Sequence, residues 1–121
     1  MNAVFDTVLL IDYLNRVPQA GREFDRYGRI TISIITWIEV MAGVRTAAED
    51  TLAREFLQTF NVHDVNVAVA DRAAKIRRSS RIRVPDAVIW ATALELGELL
   101  VTRNTKDFPS DDPGVRIPYT I

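Results

Sequence analysis

The sequence lacks cysteine altogether and contains a single histidine, His63, among its 121 residues. The absence of cysteine excludes disulfides, cysteine-ligated zinc, iron–sulfur clusters and thiol nucleophiles. One histidine excludes any metal site built from several histidines. No apolar run approaches the ~18 residues that a membrane-spanning helix needs, so we expect no membrane segment. The first residues have no basic segment ahead of their apolar stretch, so we expect no secretory leader and a cytoplasmic location.

Lysine is also scarce, since only Lys75 and Lys106 are lysines among the 15 basic residues and the others are arginines. Arginine is preferred where a planar fork grips phosphate or carboxylate. Six cations form what we call the basic stripe: Arg72, Lys75, Arg77, Arg78, Arg81 and Arg83. On a chain with a net charge of only −1, this local excess indicates a polyanionic partner. The alternative is a solvated helix face near acidic neighbours.

The composition, 48% hydrophobic and 26% charged, is typical of a globular protein, and the length predicts one domain over residues 1–121. Short apolar strands alternate with helical segments. The predicted strands lie at 3–5, 30–34, 62–65, 99–102 and 115–117, and the predicted helices at 7–14, 22–27, 36–44, 46–60, 67–80 and 85–96. This alternation predicts an α/β fold, a three-layer α/β/α sandwich with a mostly parallel sheet. Ligands of such sheets bind beyond the carboxyl ends of the strands.

Acidic and amide side chains stand at those strand ends. Asp6 directly follows the first strand, Glu39 lies about one turn past the second, and Asp86 is in the first turn of the helix that opens at Pro85. Asn104 and Asp107 follow the fourth strand. Clustered carboxylates repel one another, and a hard divalent cation such as Mg²⁺ or Mn²⁺ neutralises them. Such a cation activates water and stabilises charge on a phosphate oxygen, which is the chemistry of phosphodiester hydrolysis.

Each acid also has a local explanation. Asp6 is a suitable N-cap for the first helix, and Thr36-x-x-Glu39 matches a capping box. Asp86 is favourable beside a helix dipole, and Asp107 fits a surface position. Helix capping does not explain why these acids share one edge of the sheet.

Four further residues receive structural interpretations. Asp12 lies inside the first predicted helix, away from the strand ends, and is expected to be structural. Trp37 and Trp90 have helical positions that suit packing in the core or in a dimer. His63 lies among strand-forming residues, which favours a surface or hydrogen-bonded role over a catalytic one.

Four segments, in their order and spacing, resemble the PIN-domain family, and more narrowly the VapC-type ribonuclease toxins of bacterial toxin–antitoxin pairs. They are VFDTVLLIDYL, ITWIEVMAGV, VPDAVIWATAL and LLVTRNTKDF. The resemblance covers essentially the whole chain. It implies a parallel sheet between helices, three or four acids that bind Mg²⁺ or Mn²⁺, and cleavage of single-stranded RNA, often tRNA or rRNA in the toxins.

Carried across by matching position, the resemblance implies that Asp6, Glu39 and Asp86 are catalytic acids that hold the metal. Some relatives have an acid where this chain has Asn104, so Asp107 is a candidate for the fourth catalytic carboxylate. The choice between one metal and two therefore stays open. The candidate contacts to the substrate are Thr7, Thr102, Arg103, Asn104, Arg78 and Arg81.

The resemblance also implies partners. VapC-type proteins usually form homodimers, and a small VapB-like antitoxin silences them by inserting a chain segment, often with an arginine, into the acidic pocket. Two other functions remain open at this point. One is a different Mg-dependent phosphoesterase or DNA nuclease, although a phosphatase usually has D-x-D after the first strand and this chain reads Asp6-Thr7-Val8. The other is a non-catalytic PIN-like binding module.

Overall fold

A parallel sheet forms the middle layer of the computed structural model, which describes residues 1–121. The strands are β1 (Asn2–Phe5), β2 (Arg29–Ser33), β3 (Asn61–His63), β4 (Leu99–Val101) and β5 (Val115–Arg116). The helices are α1 (Thr7–Leu14), α2 (Pro18–Phe24), α3 (Ile34–Ala42), α4 (Ala47–Leu57), α5 (Val67–Ser79) and α6 (Val84–Leu96). The five strands lie in the order β3-β2-β1-β4-β5, and every neighbouring pair is parallel.

Both faces of the sheet are buried, as expected for parallel strands that helices cover on either side. Along β1, the side chains of Ala3 and Phe5 join a core with α1, α3 and α4, whereas Val4 joins the opposite core with α5 and α6. All three are fully buried. The predicted three-layer α/β/α sandwich is therefore confirmed. None of the helices combines the length and the apolar character that crossing a bilayer requires.

Local signals set most helix boundaries. Asp6 caps α1, since its Oδ1 accepts a hydrogen bond from Thr7 N at 2.9 Å. Gly97 ends α6 in the left-handed region, with φ at 64°, as its position after the last helical residue predicts. The second helix begins at Pro18 and ends at Phe24, earlier than the predicted 22–27, because proline suits the first helical turn.

The prediction that α3 begins with Thr36 as its N-cap is wrong. Ser33 is the cap, because its Oγ accepts a hydrogen bond from Ile35 N at 3.0 Å. The helix therefore begins at Ile34. Thr36 lies within it, fully buried, and is free to serve another contact.

The strand order reverses at β1. The chain builds β1, β2 and β3 outward on one side, and then returns to place β4 and β5 on the other side of β1. Crevices that bind ligands form at such switch points, beyond the carboxyl ends of the strands. In this protein the crevice lies after β1 and β4.

Candidate active site

Asp6 and Thr102 flank the crevice at the switch point. Asp6 follows β1, and its backbone N–H donates to Val101 O at 2.9 Å, which continues the pairing of β1 with β4. Thr102 follows β4, and its Oγ1 donates to Asp6 Oδ2 at 2.7 Å. Both side chains are buried, with Asp6 only 4% exposed. Asp6 is therefore both the cap of α1 and a fixed carboxylate of the crevice.

Glu39 reaches the same region through hydroxyl groups. Thr7 Oγ1 donates to Glu39 Oε1 at 2.7 Å and lies 2.9 Å from Thr36 Oγ1. Because a hydroxyl has one hydrogen, Thr36 is the donor of the second bond. Glu39 is exposed, so this chain of bonds holds a carboxylate at the rim of the crevice. The capping-box interpretation of Thr36 and Glu39 is therefore wrong, because Ser33 caps the helix. The hydrogen bond from Thr36 to Thr7 was not predicted from the sequence, although the spacing of Thr36 and Glu39 by one helical turn places both on the same side of the helix.

Asp86 enters from the first turn of α6 and is 8% exposed. Its Oδ2 is buried and has no hydrogen-bond partner. The nearest cation is Arg83, whose Nη2 lies 3.6 Å away, beyond hydrogen-bond distance. Burial of a carboxylate oxygen without a donor is costly. Asp86 therefore presents an oxygen that accepts no hydrogen bond from the protein and is offset only by the ion pair with Arg83.

Asn104 and Asp107 form a closed pair beside the crevice. Asn104 Nδ2 donates to Asp107 Oδ2 at 2.8 Å, and Asp107 N donates to Asn104 Oδ1 at 3.3 Å. Asn104 N also donates to Thr102 Oγ1 at 3.0 Å. The side-chain amide of Asn104 therefore orients Asp107. The backbone N–H of Asn104 connects this pair through Thr102 to the buried carboxylate of Asp6.

The carboxylates influence one another electrostatically. The pKa of Asp6 is raised from 3.8 to about 6. Burial is the largest cause and the charges of Asp86 and Glu39 add to it, while the hydrogen bonds from Thr102 and Thr7 oppose the rise. Burial also raises the pKa of Asp86, with contributions from the charges of Asp107 and Glu39, while Arg83 lowers it. The charges of Glu39, Asp86 and Asp107 therefore each raise the pKa of at least one other acid of this region.

A metal ion fits these groups chemically, although the acids do not form a complete ligand set. No group of three or more Asp, Glu, His or Cys side chains is arranged to hold a metal ion by itself. Mg²⁺ commonly binds through only one or two carboxylates, with water and substrate phosphate completing its shell. Asp86 offers a carboxylate oxygen that accepts no hydrogen bond, and Asp6 offers a carboxylate that neighbouring negative charges destabilise. Carboxylate oxygens are hard ligands of the kind that Mg²⁺ and Mn²⁺ prefer.

Arg103 does not face the crevice as a free cation. Its Nε and Nη2 donate to Asp12 Oδ2 and Oδ1 at 2.5 and 2.9 Å, and Tyr119 OH donates to the same carboxylate at 2.8 Å. Asp12 is 4% exposed, so this is a mostly buried ion pair that ties α1 to the segment after β4. The structural interpretation of Asp12 is confirmed, and the guanidinium of Arg103 is engaged within the fold.

The basic stripe divides into paired and unpaired cations. Three of its members pair with acids of the chain: Arg72 with Glu95, Lys75 with Asp71, and Arg83 with Asp86. Arg77 donates weakly to Ser80 O, at 3.4 Å. Arg78 and Arg81 are exposed and make no ion pair. These two arginines are the members of the stripe that a phosphate backbone can reach without breaking an internal bond.

Comparison with known proteins identifies relatives of this arrangement. A family model described as PIN domain matches residues 3–110. A toxin–antitoxin complex from Klebsiella pneumoniae contains a chain that is 38% identical, with a TM-score of 0.92, and the match covers 98% of this chain and 99% of that chain. No curated protein matches the chain in sequence.

Two more distant structures share the fold. FitAcB from Neisseria gonorrhoeae has a TM-score of 0.79 at 22% identity, over 100% of both chains. VapBC2 from Rickettsia felis, bound to a DNA fragment from its promoter, has a TM-score of 0.78 at 19% identity, over 95% of this chain and 96% of that chain. At these identities the likeness is one of backbone architecture.

Proposed function

The chain belongs to the PIN domain family, and on that premise we propose that it is a metal-dependent endoribonuclease, the VapC-type toxin of a toxin–antitoxin pair. It hydrolyses phosphodiester bonds in single-stranded regions of RNA, with tRNA or rRNA as the expected targets, and residues 1–121 act as one nuclease domain in the cytoplasm. The observation that carries the proposal is the pair of buried, mutually repelling carboxylates, Asp6 and Asp86, at the switch point of the sheet.

Asp6 and Asp86, with Glu39 at the rim, are the residues that would hold Mg²⁺ or Mn²⁺. When bound, such an ion lowers the pKa of a coordinated water and stabilises negative charge on a phosphate oxygen. Thr102 holds one oxygen of Asp6, and Thr7 holds one oxygen of Glu39. These hydroxyls fix the direction of each carboxylate before substrate arrives.

Two groups of residues remain for the substrate. Asn104 holds Asp107 beside the crevice, and we assign Asp107 to orienting the attacking water, because the hydrogen bond from Asn104 fixes the direction of its carboxylate. Arg78 and Arg81 are assigned to the RNA backbone, since both are exposed and free of acidic partners. Contacts of this kind position an RNA without reading its sequence.

Cleavage of a labelled single-stranded RNA by the purified protein tests the proposal. We expect cleavage with Mg²⁺ or Mn²⁺, none in EDTA, and at least a hundredfold loss in Asp6→Asn and Asp86→Asn, because each removes a carboxylate from the crevice. The matched control is Asp64→Asn, which removes an exposed carboxylate elsewhere. Undiminished cleavage by a double variant of Asp6 and Asp86 would reject the assigned site. Parallel assays on single-stranded DNA and a phosphomonoester distinguish the alternative hydrolases, and absence of Mn²⁺ binding in calorimetry would favour a non-catalytic module.

We propose that the antitoxin binds in an apolar groove on the surface of this chain. The groove lies between α1, α3 and α4 and encloses a cavity of about 330 Å³. Ile11, Leu14 and Leu52 line it and are 37%, 44% and 65% exposed. Contiguous exposed apolar surface of this kind marks a protein interface, and an amphipathic helix is the common occupant of such a groove.

Expression of the chain together with its flanking genes, followed by purification of the complex, tests this assignment. Leu52→Asp should abolish co-purification of a VapB-like antitoxin, whereas Val67→Asp, on an exposed apolar residue of α5, should leave it intact. Retention of the partner by Leu52→Asp would place the antitoxin elsewhere. Light scattering of the purified toxin checks the expected homodimer.

A further inference from the structure

A second cavity lies beside Asp107. It has a volume of about 500 Å³ and lies between the end of α5, the outer part of α6 and residues 105–109. This volume is within the range of small-molecule sites. Its walls include Ser80, Arg81, Trp90, Leu94, Lys106 and Phe108. The proposed function uses only Arg81 among these residues, and only for the RNA backbone.

Aromatic rings form one wall of this cavity. Trp90 meets Phe108 edge to face, with ring centroids 6.0 Å apart and planes at 81°. Phe108 is fully buried and fixes the indole, while Trp90 itself remains partly exposed. The indole Nε1 is inaccessible and has no hydrogen-bond partner. What Trp90 presents to the cavity is therefore the carbon surface of its ring, which is the part that stacks on a planar base.

Two cations, Arg81 and Lys106, and one carboxylate, Asp107, line the cavity. Arg81 and Lys106 both line the cavity and are exposed, and neither makes an ion pair within the protein. The serine hydroxyl of Ser80 is already bonded to Ile76 O at 2.8 Å. The cavity therefore offers an aromatic surface and two free cations but few free hydrogen-bonding groups, a combination typical of sites that hold a nucleotide by stacking and by charge.

Asp107 relates the cavity to the candidate active site. Asp107 lines it, and the same side chain lies close enough to Asp86 for its charge to affect that carboxylate. A larger cavity of about 910 Å³ also contains aromatic side chains, but it is lined by Gly28, Arg29 and Asn61, at the opposite end of the sheet from the acids. Of these two cavities, the one beside Asp107 is the one that can share a substrate with the crevice.

We propose that this cavity is a nucleotide subsite, in which Trp90 stacks on the base next to the scissile phosphate while Arg81 and Lys106 contact the flanking phosphates. The inference rests on the proposed ribonuclease function, since it places a neighbouring nucleotide of the same RNA. Stacking accepts any base, so the subsite contributes affinity and register, and Trp90 is a positioning residue of the substrate.

Fluorescence tests binding without cleavage. The chain has two tryptophans, so Trp37→Phe leaves Trp90 as the only indole. Titration of this variant in EDTA with a short single-stranded RNA should quench the emission of Trp90 in a saturable way. No change in emission while the same RNA binds by anisotropy would overturn the subsite. A response to an acidic peptide but not to RNA would also overturn it, and would assign the cavity to a protein partner.

An abasic substitution then identifies the stacked base. We expect one position in the RNA at which loss of the base weakens binding to the wild type about tenfold, the size typical of one base stacked on an aromatic ring. In Trp90→Leu the same abasic RNA should bind no more weakly than the intact RNA, whereas Trp90→Phe should keep most of the difference. Circular dichroism checks that both variants fold. If Trp90→Leu does not fold, the binding of the abasic RNAs to the wild type still tests whether one base is stacked.

The outcomes separate the two proposals. If the wild type cleaves RNA with Mg²⁺ but Trp90→Leu shows unchanged KM and unchanged abasic sensitivity, the subsite is wrong and the ribonuclease stands. If the wild type cleaves no RNA with either metal, the ribonuclease is wrong and the subsite inference fails with it. A raised KM with little change in kcat in Trp90→Leu supports the subsite, because a purely structural defect would lower the amount of active enzyme.

Discussion

Replacing Asp6 with asparagine should stabilise the metal-free protein at neutral pH, although it removes a carboxylate that the proposed nuclease requires. Asp6 is 4% exposed, and its pKa is raised from 3.8 to about 6 by burial and by the charges of Asp86 and Glu39. At pH 7 the folded protein therefore holds an ionised carboxylate in surroundings that disfavour it. Asparagine has nearly the same shape and no charge.

The expected change in unfolding free energy follows from the pKa shift of Asp6. A rise from 3.8 to about 6 corresponds to about 3 kcal/mol of unfolding free energy lost above pH 6. Asparagine keeps one oxygen for Thr7 N but faces Thr102 with an amide NH₂, which loses a hydrogen bond worth about 1 kcal/mol. The net expectation is a gain of about 2 kcal/mol at neutral pH and a loss of about 1 kcal/mol below about pH 4.

The sign of the pH dependence makes this prediction specific. Native Asp6 binds its proton more tightly than unfolded Asp6, so its contribution to the unfolding free energy of the wild type should fall as the pH rises from about 4 to about 6. Asp6→Asn should lack this fall. Urea unfolding in EDTA, followed by circular dichroism across this pH range, measures both curves. Parallel curves for the two proteins would refute the reasoning.

Asp12→Asn is the matched control, for which we expect the opposite change in the unfolding free energy at neutral pH. The hydrogen bond from Arg103 holds the pKa of Asp12 below its usual range, and Tyr119 adds to this effect. The ionised carboxylate therefore contributes stability at neutral pH that is lost as the pH falls. Removing it should destabilise the protein most at neutral pH, because Arg103 is left without its partner.

Three further predictions follow from the same contacts. Addition of Mg²⁺ in excess of its Kd should raise the Tm of the wild type by several degrees but not that of Asp86→Asn, as differential scanning fluorimetry would show; no shift in the wild type would count against the metal site. Thr7→Val should lower kcat at least tenfold with a stability change below about 1 kcal/mol, because Glu39 loses its donor, and Thr7→Ser should restore the rate. Gly97→Ala should cost about 1 kcal/mol in urea unfolding, since φ is 64° there and alanine is strained in that region, while an unchanged midpoint would contradict this account.

The sequence by itself determined the architecture and the positions of the acids. Hydrophobic periodicity, the cap at Asp6 and the glycine at position 97 act within one or two helical turns, so they can be read locally. The carboxyl ends of parallel strands meet at one edge, so acids that follow those strands were expected together. The four motifs that resemble the PIN-domain family agree with this placement.

Only the tertiary structure decided how the side chains are paired and what their environment does to them. Thr36 does not cap α3 as predicted, because Ser33 at the end of β2 accepts the hydrogen bond from Ile35 N and the helix begins before Thr36. Arg103 pairs with Asp12 across 91 positions of the chain, so no local pattern could show that its charge is engaged. The raised pKa of Asp6 depends on burial and on carboxylates from other elements, and such through-space terms exist only once the strand order has brought distant segments to one crevice.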